Sequence, residues 1–175
     1  MSRRVVVTGL GIISPVGNDI ASAWDNVIAG RSGIGPVTRF DASAFPTRIA
    51  GEVKGFDVSA YMSPKEARHF DTFIHYGIAA GSQALRDSGL EVTEANADRI
   101  GVVVGSGIGG LPLIEETHSE LVNRGVRRVS PFFVPGSIIN MISGQLSIMF
   151  GLRGPNYAVS VPVPQACIAS AMPRE

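Results

Sequence analysis

The first apolar run, Arg4–Thr8 (RVVVT), is short and nearly continuous in β-branched residues, the pattern of a strand buried on both faces of a mainly parallel sheet. A loop of glycines and Pro15 follows. Ile20, Ala23, Trp24, Val27 and Ile28 then recur at helical spacing behind Asn18 or Asp19 as a cap, with Gly30 placed to stop the helix. From Arg31 to Met62 the pattern weakens to one strand or ribbon near Thr47–Val53, and no chemistry is placed there. Ser63-Pro64-Lys65-Glu66 spells a capping box with proline at the first helical position. The charged turn Lys65, Arg68, His69 leads into a long helix through Leu85, with the seam Ile74, Gly77, Ile78, Gly81, Leu85. Glycines on a helix seam are costly unless another backbone packs very close, so this helix is expected to be deeply buried.

Ile100–Val104 (IGVVV) predicts a second buried strand, opening into the glycine loop Gly105–Gly110 and a helix over Leu111–Asn123 with Ile114 and Leu121 inward. A basic turn, Arg124, Arg127 and Arg128, comes next. In Ser130–Ser160, Ile138, Ile139, Ile142, Leu146 and Met149 mark one face of a long helix, and Asn156–Ser160 reads as a strand. Strands alternating with helices predict an α/β class: a largely parallel mixed sheet packed by helices.

Composition changes this picture little. With 175 residues, 45% of them apolar, and a net charge of zero, the chain can bury a sizeable core and offers no electrostatic case for nucleic acid or a membrane surface. No apolar run is long enough to span a bilayer, and the basic start leads into a strand pattern, not a signal-peptide core, so a cytoplasmic location is expected. The single cysteine, Cys167, excludes an internal disulfide and any cysteine-cluster metal site. Gly105, Gly107 and Gly110 fit G-x-G-x-x-G between a strand and a helix, the context of a dinucleotide fingerprint. The acidic residue that should follow roughly 20 positions on is missing. That distance falls in the basic turn, and the simpler reading is a loop that passes close to other backbone.

Four stretches, RVVVTGLGIISPVGN, GSGIGG, RRVSPFFVPGSIINMISG and GLRGPNYAVS, together resemble the N-terminal half of the β-ketoacyl-[acyl-carrier-protein] synthase family, most closely its type II members. The resemblance implies a thiolase-like layered fold of two similar α/β halves, of which this chain supplies the first over residues 1–160, and a homodimer. It implies an acyl carrier protein as partner, its phosphopantetheine arm delivering an acyl group to a cysteine. Decarboxylation of malonyl-carrier protein then drives condensation onto that thioester, and no cofactor or metal is expected. Ile108 matches the residue that gates the acyl pocket, and Phe133 one that lines it from across the dimer. Lys65, Arg68, Arg124, Arg127 and Arg128 match patches that dock the carrier protein. Read from the residues alone, the first pair are packing side chains and the cations a solvated face.

The family places its nucleophile at a strand-to-helix elbow, where free N–H groups and the helix dipole favour a thiolate, three residues beyond the position matching Ser160. Here that residue is Val163. A coding sequence for the family's A-C-T-T-G-L-H-S-I-G-D-A-A-R, read one base later, translates as P-V-P-Q-A-C-I-A-S-A-M-P-R, which is Pro162–Arg174 residue for residue. Residues 161–175 are therefore expected to be an out-of-frame tail, and Cys167 a nucleophile only if the tail is a true insertion. The family's catalytic histidines and lysine belong to its second half, and His69, His75 and His118 match none of them. The expectation is a truncated synthase without condensing activity. The alternatives are a non-catalytic fragment that dimerises or binds a carrier protein and, third, a dinucleotide-binding α/β protein.

Overall fold

A computed structural model describes residues 4–160. In chain order the elements are α1 (Ile20–Ile28), β1 (Ile34–Pro36), β2 (Ile49–Gly51), α2 (Pro64–Ala67), α3 (Thr72–Asp87), β3 (Val102–Ser106), α4 (Leu111–Arg124), α5 (Phe133–Ser137), α6 (Met141–Phe150) and β4 (Asn156–Ser160). Strands β1 and β2 form a small antiparallel ribbon, while β3 and β4 pair in parallel from Val102↔Asn156 to Ser106↔Ser160. The α/β class and the parallel pairing stand as read from the sequence.

The core lies where α3 crosses α6 over β3. Ile74 and Ile78 of α3, Ile142 and Leu146 of α6, and Val102 and Val104 of β3 are buried together. The seam glycines explain the closeness. A Cβ on Gly77 would lie 2.6 Å from Ile142 Cγ2, and one on Gly81 2.6 Å from Leu146 Cδ1. The visitors at the seam are thus side chains of α6, whereas the close backbone approach falls elsewhere on α3, where Gly9 and Gly11 pack on the Ala84 and Ala80 carbonyls.

Several elements depart from the sequence pattern. Arg4–Thr8 is not a buried strand: Val5 is 96% exposed, and an apolar cavity of about 280 Å³ separates the run from β3 and α3. With no ladder partner among the described residues, the run lacks the hydrogen bonds that define a strand. Helix α1 forms where its periodicity and Asp19 cap require, yet of its apolar stripe only Ala23 is buried, and Trp24 is 62% exposed. Ile114 and Leu121 of α4 are likewise partly exposed, and no residue of that helix is buried. Strand β4 pairs on one side only among the described residues and is mostly exposed.

The helix expected through Ile138–Met149 starts only at Met141, as α6, and Ile138 and Ile139 fall in its connection to α5. The carbonyls that would carry a continuous helix are taken by other segments: Gly136 O accepts from Asp71 N at 3.1 Å and Ser137 O from Gly110 N at 3.0 Å. Ile138 is then extended, with ψ 144°, and its side chain leaves the buried face.

The capping box is present. Ser63 Oγ accepts from Glu66 N, and Ser63 N and Oγ both donate to Glu66 Oε2, at 3.1 and 2.6 Å. The hydroxyl, foremost, and the amide of Ser63 hold the Glu66 carboxyl below its ordinary value. A depressed folded pKa means that the box stabilises α2 at neutral pH and that its contribution is lost as pH falls through that lowered value. NMR titration should therefore show Glu66 titrating below an ordinary glutamate, and Ser63→Ala should move it back up; an unchanged Glu66 curve would refute the linkage.

Candidate functional site

The in-register pair Ser106↔Ser160 brings two chain segments to one edge. The glycine loop leaves β3 there, and the chain leaves β4 beside it. The C-terminal edge of parallel strands is where α/β sheets place ligands.

The loop carries Ile108, 67% exposed, at its tip. Its far end is fastened. Gly109 adopts φ +93°, and a Cβ there would lie 2.6 Å from Ser137 O. A Cβ on Gly110 would lie 2.9 Å from Asp71 Oδ2, and that carboxylate oxygen accepts from Leu113 N at 2.8 Å, in the first turn of α4. A dinucleotide fingerprint needs its helix N-terminus for a pyrophosphate. In this chain a protein carboxylate already holds that end, and the glycines admit Asp71 and α5, so the loop does not fit a phosphate.

Phe133 opens α5, half-buried, and lines a cavity of about 220 Å³. Arg68, His69, Glu116, Glu120 and Arg128 share that cavity. Ile108 does not line it, so this cavity does not bring the two acyl-pocket candidates together. Of the five cations, Arg68 and Arg128 come together here. Arg124 pairs with Glu120 at 3.2 Å, which screens part of its charge. Arg127 lies on the same turn as Arg128, and Lys65 sits on α2 three residues before Arg68. Arg68 Nε also donates to Pro64 O at 3.1 Å, so its guanidinium is tethered to the first residue of α2.

The histidines are packing and surface residues. His69 lies in the connection between α2 and α3, not on a helix, and stacks on Phe132 with ring centroids 3.7 Å apart. His75 Nε2 lies 2.9 Å from Ala67 O, and His118 is exposed on α4. Cys167 and the rest of 161–175 lie outside the described residues. Among the described residues no group of three or more His, Cys, Asp or Glu could hold a metal ion, and no helix is long and apolar enough to cross a membrane.

Two features escaped sequence reasoning. The His69–Phe132 stack joins residues with no shared motif. Asp71 stands at the N-cap position of α3, so its sequence context spells an ordinary cap for its own helix, yet it makes no such bond and caps α4 instead.

Comparison with known proteins settles the family. The model of the β-ketoacyl synthase N-terminal domain matches residues 2–162. The chain belongs to the β-ketoacyl synthase family. It is 64% identical over 158 residues to the 3-oxoacyl-[acyl-carrier-protein] synthase 2 of Vibrio cholerae, a match covering 90% of this chain and 38% of that protein. With the enzyme of the same name from Coxiella burnetii the identity is 51% over 157 residues, covering 90% of this chain and 38% of the relative. Among solved structures, the ishigamide ketosynthase/chain length factor superposes with a TM-score of 0.77 at 26% identity, covering 90% of this chain and 40% of that one. The AntDE:AntF complex, a type II polyketide acyl-carrier protein with its ketosynthase bound to the hexaketide, gives 0.70 at 27% identity, covering 93% and 42%. This synthase-family chain thus spans 38% of the length of the curated relatives it matches.

Proposed function

We propose that the chain is the N-terminal half of a 3-oxoacyl-[acyl-carrier-protein] synthase of fatty acid synthesis, cytoplasmic and homodimeric in its whole form. The reading is carried by the register of β3 and β4, which ends both strands level at Ser106 and Ser160. The loop with Ile108 thus leaves β3 level with Ser160, the last residue before the position at which the family places its nucleophile elbow. In this reading the elbow cysteine takes the acyl group as a thioester, and the carbanion from malonyl-carrier protein attacks it to form the carbon–carbon bond. Ile108 gates the acyl pocket and Phe133 lines it from the partner subunit.

The chain as written has Val163 at the nucleophile position, so it performs no condensation itself. The family match ends at residue 162, two residues into the 161–175 tail, which supports a different origin for the residues after it. A one-base deletion just after the Ser160 codon accounts for that tail; a resequenced gene with no such deletion would overturn this. Incubation of the purified chain with acyl- and malonyl-carrier protein should yield no β-ketoacyl product. Product formation would return Cys167 to the catalytic role.

Carrier-protein docking is assigned to the basic face of Lys65, Arg68, Arg124, Arg127 and Arg128. The convergence of Arg68 and Arg128 on one cavity supports it. Reversal of both, Arg68→Glu with Arg128→Glu, should weaken binding of acyl carrier protein by roughly tenfold or more at low salt, and the wild-type affinity should fall as salt rises. Affinity unmoved by either change would remove the assignment.

A further inference from the structure

We propose that Asp71 is the positioning residue that locks the glycine loop to α5, and that this clasp sets which acyl chain lengths the pocket accepts. The second half of the proposal rests on the reading of Ile108 and Phe133 as acyl-pocket residues; the clasp itself does not.

Helix α4 begins without a side-chain cap of its own, because its N-cap is Gly110 and Pro112 in its first turn has no N–H. Leu113 N is therefore a donor in need of an acceptor. Asp71 supplies one from 42 residues away, its Oδ2 accepting at 2.8 Å, and a carboxylate also suits the positive end of the helix dipole. The same residue's amide donates to Gly136 O of α5 at 3.1 Å. Gly110 N closes the triangle by donating to Ser137 O at 3.0 Å. One residue, only 8% exposed, thus joins the start of α3, the end of the loop and the end of α5.

The geometry leaves no slack. A Cβ on Gly110 would meet Asp71 Cβ and Oδ2 at 2.9 Å, so a larger residue there has to push the Asp71 side chain aside. Ile108 is two residues upstream of Gly110, and Phe133 is three residues before Gly136, on the short helix that the Asp71 amide holds. Loss of the Asp71 carboxylate releases the first turn of α4, which anchors the far end of the loop carrying Ile108, while the bonds from Asp71 N to Gly136 O and from Gly110 N to Ser137 O remain. What changes is the freedom of the Ile108 gate over its own pocket; α5, whose Phe133 is read as reaching the partner's pocket, and the core of α3 keep their places.

The test uses the 175-residue chain with Asp71→Ala, Asp71→Asn, Gly110→Ala and Ile108→Ala. Asn keeps an acceptor oxygen of the same shape, and Gly110→Ala displaces Asp71 from the loop side should Asp71→Ala not fold. Hydrogen exchange at Leu113 N should speed up by roughly tenfold or more in Asp71→Ala, the loss of a charge-assisted bond, while Ile78 N in α3 is unmoved. Asp71→Asn should restore most of the protection. The second measurement is the ratio of affinities for palmitoyl- and octanoyl-pantetheine. It should change at least about threefold in both Asp71→Ala and Gly110→Ala, and return towards wild type in Asp71→Asn, since a merely structural cap would leave the ratio alone. Unchanged exchange at Leu113 would overturn the clasp. A ratio that moves in Ile108→Ala but in neither clasp variant would overturn the specificity role and leave the pocket reading intact. A ratio unmoved in all variants, or no binding of either probe, would overturn the pocket reading and the specificity role together, with the exchange result still deciding the clasp.

Discussion

Leu146→Ala is expected to destabilise the chain by about 3 kcal/mol, read as a lowered urea midpoint by circular dichroism at unchanged slope. Leu146 is 2% exposed and sits against the Gly81 position of α3, so truncation removes buried methyls and opens a cavity in the α3–α6 seam. Gly81→Ala gives the sharper result, because two effects of opposite sign meet there. Alanine is favoured over glycine inside a helix by about 1 kcal/mol. Its Cβ, however, would lie 2.6 Å from Leu146 Cδ1, 2.9 Å from Cδ2 and 3.3 Å from Cγ, and overpacking of a closed core costs about 1–3 kcal/mol. The clash wins in the wild-type background, so the single variant should be less stable. All three of those crowding atoms are removed by Leu146→Ala. In that background Gly81→Ala should become stabilising by about 1 kcal/mol, a change of sign that a double-mutant cycle reads directly. Additive effects in the cycle would show that the seam does not pack as described.

What the sequence made legible follows from which signals are local. The helix α1, the capping box at Ser63, the strand β3 and the strand β4 were all readable, because each is specified by a cap, a proline or a β-branched run within its own span. Burial was not. Ile20, Trp24, Val27 and Ile28 repeat correctly for an inward face, but periodicity says only that a face is apolar, not that something covers it, and here all four are exposed. The same gap explains Val5–Val7, whose composition reads as a central strand and whose backbone has no ladder partner among the described residues. The break between α5 and α6 was invisible for a different reason. Its cause is two hydrogen bonds from distant residues, Asp71 and Gly110, which no window around Ile138 contains. At the site, the glycine spacing showed that backbone had to come close to something but not to what; Asp71 is the answer, and its position before α3 disguised it as that helix's own cap. The basic residues were readable as a group, yet which of them converge depended on the fold, which sets Arg68 beside Arg128 and pairs Arg124 with Glu120.

Gly154→Ala should be at least as damaging as Leu146→Ala, and the reason lies in what kind of atom must move. A Cβ at this position would stand 2.6 Å from Ile100 C and O and 2.8 Å from Gly101 N. These are backbone atoms at the entry to β3, unlike the flexible methyl ends that crowd Gly81. Relief requires separating the two chain segments that lead into the parallel pair. Three backbone bonds hold them together: Val102 N to Pro155 O at 2.8 Å, Gly154 N to Ile100 O at 3.0 Å and Arg153 N to Ala97 O at 3.0 Å. At about 1 kcal/mol net for each bond, with the overpacking cost added, the loss comes to roughly 3 kcal/mol or more. Gly144→Ala is the matched control, since that glycine is also in the apolar half of the chain but a Cβ there would meet nothing within 4 Å beyond its own helix. In the interior of α6 it should be neutral or stabilising by up to about 1 kcal/mol. Hydrogen exchange should place the Gly154→Ala damage at Val102 N and Gly154 N first, with Ile78 N in α3 following only if the whole core opens. A midpoint for Gly154→Ala equal to that of Gly144→Ala would mean that β4 is not seated against β3 by this corner. The level exit of Ser106 and Ser160, on which the functional reading depends, would then lose its support.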